Sequence, residues 1–466
     1  MKRIQSFIVA ASALLFVQAA QSATFQELYN SARVNDPVLG GAEANYDARK
    51  EFVPQTRSAL LPLINLQGST SWNQRDFLGA TILDTDPTSP TFGQQIGAPR
   101  QEFNSHGWNA SVRQAIVDLP SWYNFRSSLA LRDQAGFELA AVEQNLIVRV
   151  ADAYLNVLRA QAAVEATEAE EEAVKRQLEQ VQQRFDVGLV AITDVLESTA
   201  AFDSAHVRRI QADGDHDIFF ETLRTITGVA YETVERLSSG LPVIDPSPSD
   251  AEEWVNTALV TNFTILSAED ALKAAERDLQ AKLSGHLPTI DAVASHQHTV
   301  TGGAAFLGNK LDQDVFSLQA TLPIYQGGFV HSRYKESRAR VEEARQRLIE
   351  RELIVTRDAR NFFRAVVTDV VRVGARIKAI KSGEAALEAT QTGYEVGTRN
   401  IVDVLRAQQQ LFLAQFDYAD SRYNYVGNLL RLKQIAGTLD EDDVAELATF
   451  NTSTDPIQHR SRLRQP

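Results

Sequence analysis

The chain is written twice. Phe185-Asp-Val-Gly188, followed by Ile192-Thr-Asp-Val-Leu196, returns 209 positions later as Tyr394-Glu-Val-Gly397, followed by Ile401-Val-Asp-Val-Leu405. The match holds without a gap to Gly228 and Gly437. Further upstream, Leu60-Leu-Pro-Leu-Ile64 answers His286-Leu-Pro-Thr-Ile290 at a spacing of 226, which falls to 207 at Arg126 and Arg333. Self-similarity of this kind means two copies of one supersecondary unit, the first with about 19 extra residues between Ile64 and Arg126. Leu78 to Arg100, rich in Gly, Pro, Thr and Asp, lies there and reads as a long loop.

Inside each copy the hydrophobic period changes. Amphipathic stretches, Phe25 to Leu60 and Trp254 to Leu283, end at Leu61-Pro62 and Leu287-Pro288. Proline cannot continue a helix and drives the residue before it extended, so a helix stops and a strand begins. Beyond it Ile64, Leu66, Gly68, Thr70 and Trp72 share one face, with Trp108, Ala110, Val112 and Gln114 on the return. In the second copy Phe316, Leu318, Ala320 and Leu322 oppose Ser317, Gln319 and Thr321. Each run is about ten residues, the length of a tilted strand across a bilayer. Long Ala-rich helical patterns without Pro follow, Trp122 to Arg184 and Phe329 to Thr392. Each is on the order of 90 Å long. Turns at Gly188 and Gly397 lead into return helices, Asp194 to Thr227 and Asp403 to Ala436. A return helix and an opening helix stacked end to end match one long helix.

The N-terminus has Lys2-Arg3, an apolar run from Phe7 to Val17 and Ala20-Gln-Ser22, the pattern of a secretory signal cleaved after Ser22. The expected division is therefore signal peptide 1–22, first repeat 23–228, linker 229–249, second repeat 250–437, and C-terminal segment 438–466. The tail from Thr449, polar and carrying Arg460, Arg462 and Arg464, reads as disordered.

After the signal no apolar run reaches the roughly 18 to 20 residues of a transmembrane helix, so a membrane crossing must use strands. Four strands cannot close a barrel, and open edges cannot sit in lipid, so the chain must assemble. Two subunits are the floor, and three would give about 12 strands. Small-residue seams such as Ala140-Ala141, Ala153 and Ala160 to Ala163 need coiled-coil partners. The formal net charge of -14 argues against a nucleic-acid partner. There is no Cys, hence no disulfide and no lipidated cysteine, which suits an oxidising periplasm. His296-Gln-His298 reads as alternating polar positions on a strand, because a metal site needs further ligands. No nucleophile, base and orienter set, phosphate loop or metal set appears, so neither an enzyme nor a cofactor is expected.

Leu-Pro-x-Ile in both copies, Leu322-Pro-Ile-Tyr-Gln-Gly-Gly328, Arg184-Phe-Asp-Val-Gly-Leu-Val-Ala-Ile-Thr-Asp-Val195 and Gly393-Tyr-Glu-Val-Gly-Thr-Arg399 carry a resemblance. From Phe25 to about Leu447 the chain resembles the TolC-type outer-membrane efflux protein family. The resemblance implies a mainly α fold with a transmembrane β part: a homotrimeric 12-stranded barrel in the outer membrane, four strands per chain, continuous with a periplasmic α-helical barrel. It also implies a periplasmic adaptor and an inner-membrane pump as partners, in drug efflux or type I secretion. A surface or periplasmic coiled-coil scaffold or adhesin is the competing reading.

The resemblance further implies that Thr193 and Asp194 form a latch with Tyr394 and Arg399, and that Asp403 lines a constriction as an acidic ring. Arg406, one turn on, stands where the family's best-known member has a second acidic residue. Gly188, Leu189, Gly397 and Thr398 form the turns that would meet an adaptor. Asp194 and Asp403 also sit where carboxylates cap helices, with Glu197 after Asp194 and Asn400 before Asp403 at capping-box spacing. Tyr394 is equally placed to be a core aromatic, like Phe185. The copies differ at Phe185 against Tyr394, Val190 against Arg399 and Glu197 against Arg406.

Overall fold

The computed structural model describes residues 22–98, 100–238, 240–302 and 310–459. The expected signal up to position 21 and Arg460, Arg462 and Arg464 lie outside the described residues. The first copy runs through α1 (Phe25–Asn35), α2 (Pro37–Lys50), α3 (Phe52–Ser58) and β1 (Leu63–Arg75). A small hairpin within the long loop, β2 (Thr81–Leu83) and β3 (Gln95–Gly97), precedes β4 (Gln101–Val117), α4 (Leu119–Asp186) and α5 (Ile192–Thr227). After β5 (Thr233–Leu237) the second copy repeats the order as α6 (Ala251–Thr261), α7 (Phe263–Leu283), β6 (Thr289–Thr301), β7 (Lys310–Thr321), α8 (Phe329–Glu395) and α9 (Ile401–Ala436). The chain continues through α10 (Glu441–Thr449) and β8 (Asn451–Gln458). Among the described residues no helix is long and apolar enough to cross a membrane.

Compaction does not follow the copies. One unit takes 44–137 and 267–350, and the other takes the described residues up to 43, 138–266 and those from 351 onwards. Each therefore contains matching pieces of both repeats.

The first of these units holds an antiparallel sheet ordered β1-β4-β6-β7. Its register lines up Ile64, Val112, Ala294 and Phe316 as one apolar row across all four strands. Gln67, Asn109, Gln297 and Gln313 form an amide row on the opposite face. The apolar row is not a core: Ile64 is 73% exposed and Phe316 84% exposed. A strand alternates its side chains between faces, so one apolar and one polar face is what a wall between lipid and water requires. The strands run 12 to 17 residues, longer than the expected ten.

The second unit has a conventional core. Tyr154 of α4 is fully buried beside Phe25 at a ring separation of 5.4 Å, and its hydroxyl donates to the Glu235 carbonyl at 2.9 Å. β5 pairs antiparallel with β8, and Ala23 adds to β5 through a parallel bridge. The tail from Thr449, expected to be disordered, is thus an ordered strand to Gln458. Its mostly polar residues hide one apolar anchor, Ile457, which is 1% exposed against the core of Val234 and Leu237.

The opening stretches are also not single helices. Each breaks at an Asx residue, Asp36 before Pro37 and Asn262 before Phe263, whose backbone closes the preceding helix while its side chain opens the next. Asp36 accepts from the Leu39 amide at 2.9 Å, and Asn262 accepts from the Thr264 amide at 2.9 Å. An ion pair with Arg149 keeps the Asp36 carboxyl below the usual carboxylate range. At the same breaks the return helices end: the Asn35 amide donates to the Thr227 carbonyl, and the Asn262 amide donates to the Ile435 carbonyl.

Those endings demand glycine. Gly437 has φ +71°, and a Cβ there would lie 2.3 Å from the Thr261 carbonyl oxygen, whereas at Gly397, with φ +79°, a Cβ would meet nothing within 4 Å. Gly397→Ala is expected to cost about 1–2 kcal/mol of left-handed strain. Gly437→Ala adds a backbone clash to the same strain, so its denaturation midpoint in detergent falls further; equal losses would show that the helix break yields freely.

Candidate functional site

The two turns that close the long helices are built alike. Gly188 has φ +77° and Gly397 φ +79°, a left-handed geometry that glycine adopts without cost. At the first turn the Gly188 amide donates to the Phe185 carbonyl and the Leu189 amide to the Arg184 carbonyl, both at 2.8 Å. At the second the Gly397 amide donates to the Tyr394 carbonyl at 3.1 Å and the Thr398 amide to the Gly393 carbonyl at 2.8 Å. This paired 5→2 and 6→1 pattern is a Schellman ending, which satisfies the last carbonyls of α4 and α8. Val187, Leu189 and Val396 are about 70% exposed there, leaving an apolar rim on the turns.

Behind the turns lies a small core of Val181, Val195, Ile401 and Val404, against which Phe185 and Tyr394 both pack. Tyr394 is thus a core aromatic, as its counterpart suggests. Its hydroxyl oxygen is also buried, and it makes no hydrogen bond among the described residues.

Asp194 and Asp403 occupy equivalent places, the third residue of α5 and of α9. Carboxylates in a first turn are favoured by the helix dipole. The caps differ. Asn400 accepts from the Asp403 amide at 2.9 Å, one half of the expected box. The expected box of Asp194 with Glu197 does not form, because α5 starts earlier, after Ala191, which gives no side-chain cap.

The latch residues are brought to one end of this unit but not into contact with one another as expected. Arg399, in the turn before α9, lies 3.8 Å from Asp403 in the first turn of that helix, not against Asp194 or Thr193. Thr193 donates a long bond of 3.5 Å to its neighbour Asp194. Arg406 is exposed one turn beyond Asp403, and the partner of Asp403 within the chain is Arg399.

Two further residues shape this end, and comparison of the copies is the signal that points to them. Gly393 is the counterpart of Arg184. A Cβ at Gly393 would lie 2.8 Å from Arg399 Cγ and 3.3 Å from Thr398 Oγ1, so the glycine lets Arg399 fold back on the helix end. Arg184 sets its guanidinium 5.1 Å from the Tyr394 ring centroid. Away from this end, the His296-Gln-His298 pair is a set of cross-strand contacts: His296 lies 2.7 Å from Asp314 and His298 2.5 Å from Asp312, with Trp108 beside both.

The family model described as outer membrane efflux protein matches residues 28–229 and 254–438, one stretch in each copy. This chain belongs to the outer membrane efflux protein family. It is an outer-membrane protein of the efflux and secretion channel type. Outer membrane protein TolC of Vibrio cholerae serotype O1 is 33% identical over 96% of this chain and 98% of its own length. Alkaline protease secretion protein AprF of Pseudomonas aeruginosa is 24% identical over 99% of this chain and 94% of its own. Among solved structures, the Campylobacter jejuni CmeC outer membrane channel shares the fold with a TM-score of 0.73 and 15% identity, covering 97% of this chain and 99% of that one.

Gly393→Ala is expected to push the Arg399 stem off the helix end. A crystal structure of the variant would place the guanidinium beyond 4 Å from Asp403. An unmoved Arg399 would mean that the glycine serves the turn alone.

Proposed function

We propose that this protein is the passive exit duct of a tripartite efflux pump or type I secretion system, working as a homotrimer. In this reading three four-stranded sheets close a 12-stranded barrel in the outer membrane, and the helices form a periplasmic tunnel. A periplasmic adaptor would dock on the turns at Gly188, Leu189, Gly397 and Thr398. An inner-membrane pump supplies the energy, and no cofactor or nucleic acid takes part. The two edge strands favour assembly, because unpaired N–H and C=O groups cost several kcal/mol each in lipid. The exposed apolar turn rim favours the adaptor contact.

The periplasmic end is proposed to be held shut by a latch of Thr193, Asp194, Tyr394 and Arg399. The observation that carries it is the Tyr394 hydroxyl, buried at the helix ends and without a hydrogen bond among the described residues. A buried hydroxyl in that state costs about 1–3 kcal/mol, which a contact with Asp194 or Thr193 in the closed state recovers. Arg399, already beside Gly393 and the turn, adds a charge-assisted bond in the closed state. Asp403 repeated three times forms an acidic ring, and Arg406 moderates its field.

In planar bilayers the purified trimer is expected to give a small conductance that rises markedly in Tyr394→Phe with Arg399→Glu. A conductance unchanged by those substitutions would place the gate elsewhere, and trimers that never conduct would remove the duct reading altogether.

Asp403→Ala is expected to shift the reversal potential under a salt gradient away from cation selectivity. No shift would leave Asp403 as a helix-dipole residue only.

A further inference from the structure

The Tyr394 ring has two faces in different surroundings. One packs on the Val181, Val195, Ile401 and Val404 core. The ring also borders a hollow of about 890 Å³ that Gln177, Gln391, Gln408 and Arg184 help to line. Packing cannot fix a ring on the side where the neighbour is a polar hollow. The group that lies over it there is the Arg184 guanidinium, 5.1 Å from the ring centroid. A cation over the face of a tyrosine is attracted by the ring quadrupole.

The copies are unequal at this contact. Position 184 is Arg in the first copy, and its counterpart 393 is Gly, so Phe185 receives no matching cation from the second copy. Arg184 also closes the last turn of α4, where a positive charge suits the helix C-terminus. Its backbone carbonyl accepts the Leu189 amide of the Schellman turn, so the side chain is anchored at the turn and spans to the other copy's helix.

We infer that Arg184 is a positioning residue of the gate: it holds the Tyr394 ring from α4 so that the hydroxyl points at its latch partner. This rests on the latch reading proposed above. Arg184 touches no transported substrate and acts through Tyr394. The cation is needed over the ring face, so the effect of losing it passes through the hydroxyl and disappears when the hydroxyl is absent.

The test uses the full-length trimer in planar bilayers, with thermal dissociation of the trimer as a check on assembly. Arg184→Met keeps the stem and removes the charge. It is expected to raise the conducting fraction about two- to tenfold, the range of one cation–π contact. Arg184→Lys, which retains a cation, is expected to restore most of the closed state. Adding Arg184→Met to Tyr394→Phe is expected to give no further rise.

If Tyr394→Phe with Arg399→Glu opens the pore and Arg184→Met does not, the positioning role is overturned while the latch stands. An additive effect of Arg184→Met on Tyr394→Phe overturns it as well, since Arg184 would then act on something other than the hydroxyl. If no latch variant opens the pore, the latch reading falls and this inference with it. Should Arg184→Met dissociate at lower temperature, Arg184→Lys carries the decision: a closed pore supports the charge contact, and an open one refutes it.

Discussion

A four-stranded sheet with two open edges is the constraint on which the rest of the molecule depends. β1 and β7 lie at the edges of the order β1-β4-β6-β7, and both are exposed along nearly their whole length. Backbone groups on such edges find no partner in a hydrocarbon layer, so the sheet is stable only when other copies supply the missing ladders. In the proposed assembly the polar row of Gln67, Asn109, Gln297 and Gln313 would face enclosed water, and the row of Ile64, Val112, Ala294 and Phe316 would face lipid. The same requirement explains why the long helices carry small-residue seams and why so much apolar surface remains open in a single chain.

Duplication sets the second layer of the design. The two Schellman turns at Gly188 and Gly397 are repeated bond for bond, and the Asx breaks and the glycines that end the return helices recur at matching places with different bonds. Among the departures, four lie at the turn end: Phe185 against Tyr394, Arg184 against Gly393, Val190 against Arg399, Glu197 against Arg406. Where backbone geometry is settled by symmetry, side chains are free to diverge. A polar contact can be strengthened or lost there without disturbing the fold.

Much of the architecture is legible in periodicity. The long helices begin and end within three residues of the expected Trp122 to Arg184 and Phe329 to Thr392, because a Pro-free amphipathic run ending in Val-Gly has few alternatives. The breaks at Asp36 and Asn262 were hidden, since the apolar stripe continues across them and only the Asx side chain marks the interruption. β8 was hidden for another reason: its partner β5 lies more than 200 residues away, and a polar strand with one buried Ile457 resembles a loop. At the helix ends the pairing within the chain is Arg399 with Asp403. Arg399 turns to Asp403 because Gly393 leaves room for it, a fact about close approach that spacing cannot express.

β5 is the join between the repeats, and it takes Ala23 from one end of the described chain and β8 from the other. Neither contact is local, so loop-closure entropy must be overcome twice before this strand is satisfied. Residues of β8 are therefore needed to finish a structure begun at Ala23. During biosynthesis the chain stays incomplete, with apolar surface uncovered, until Ile457 reaches its place, and a chain shortened before β8 would enter assembly with its central strand half bonded.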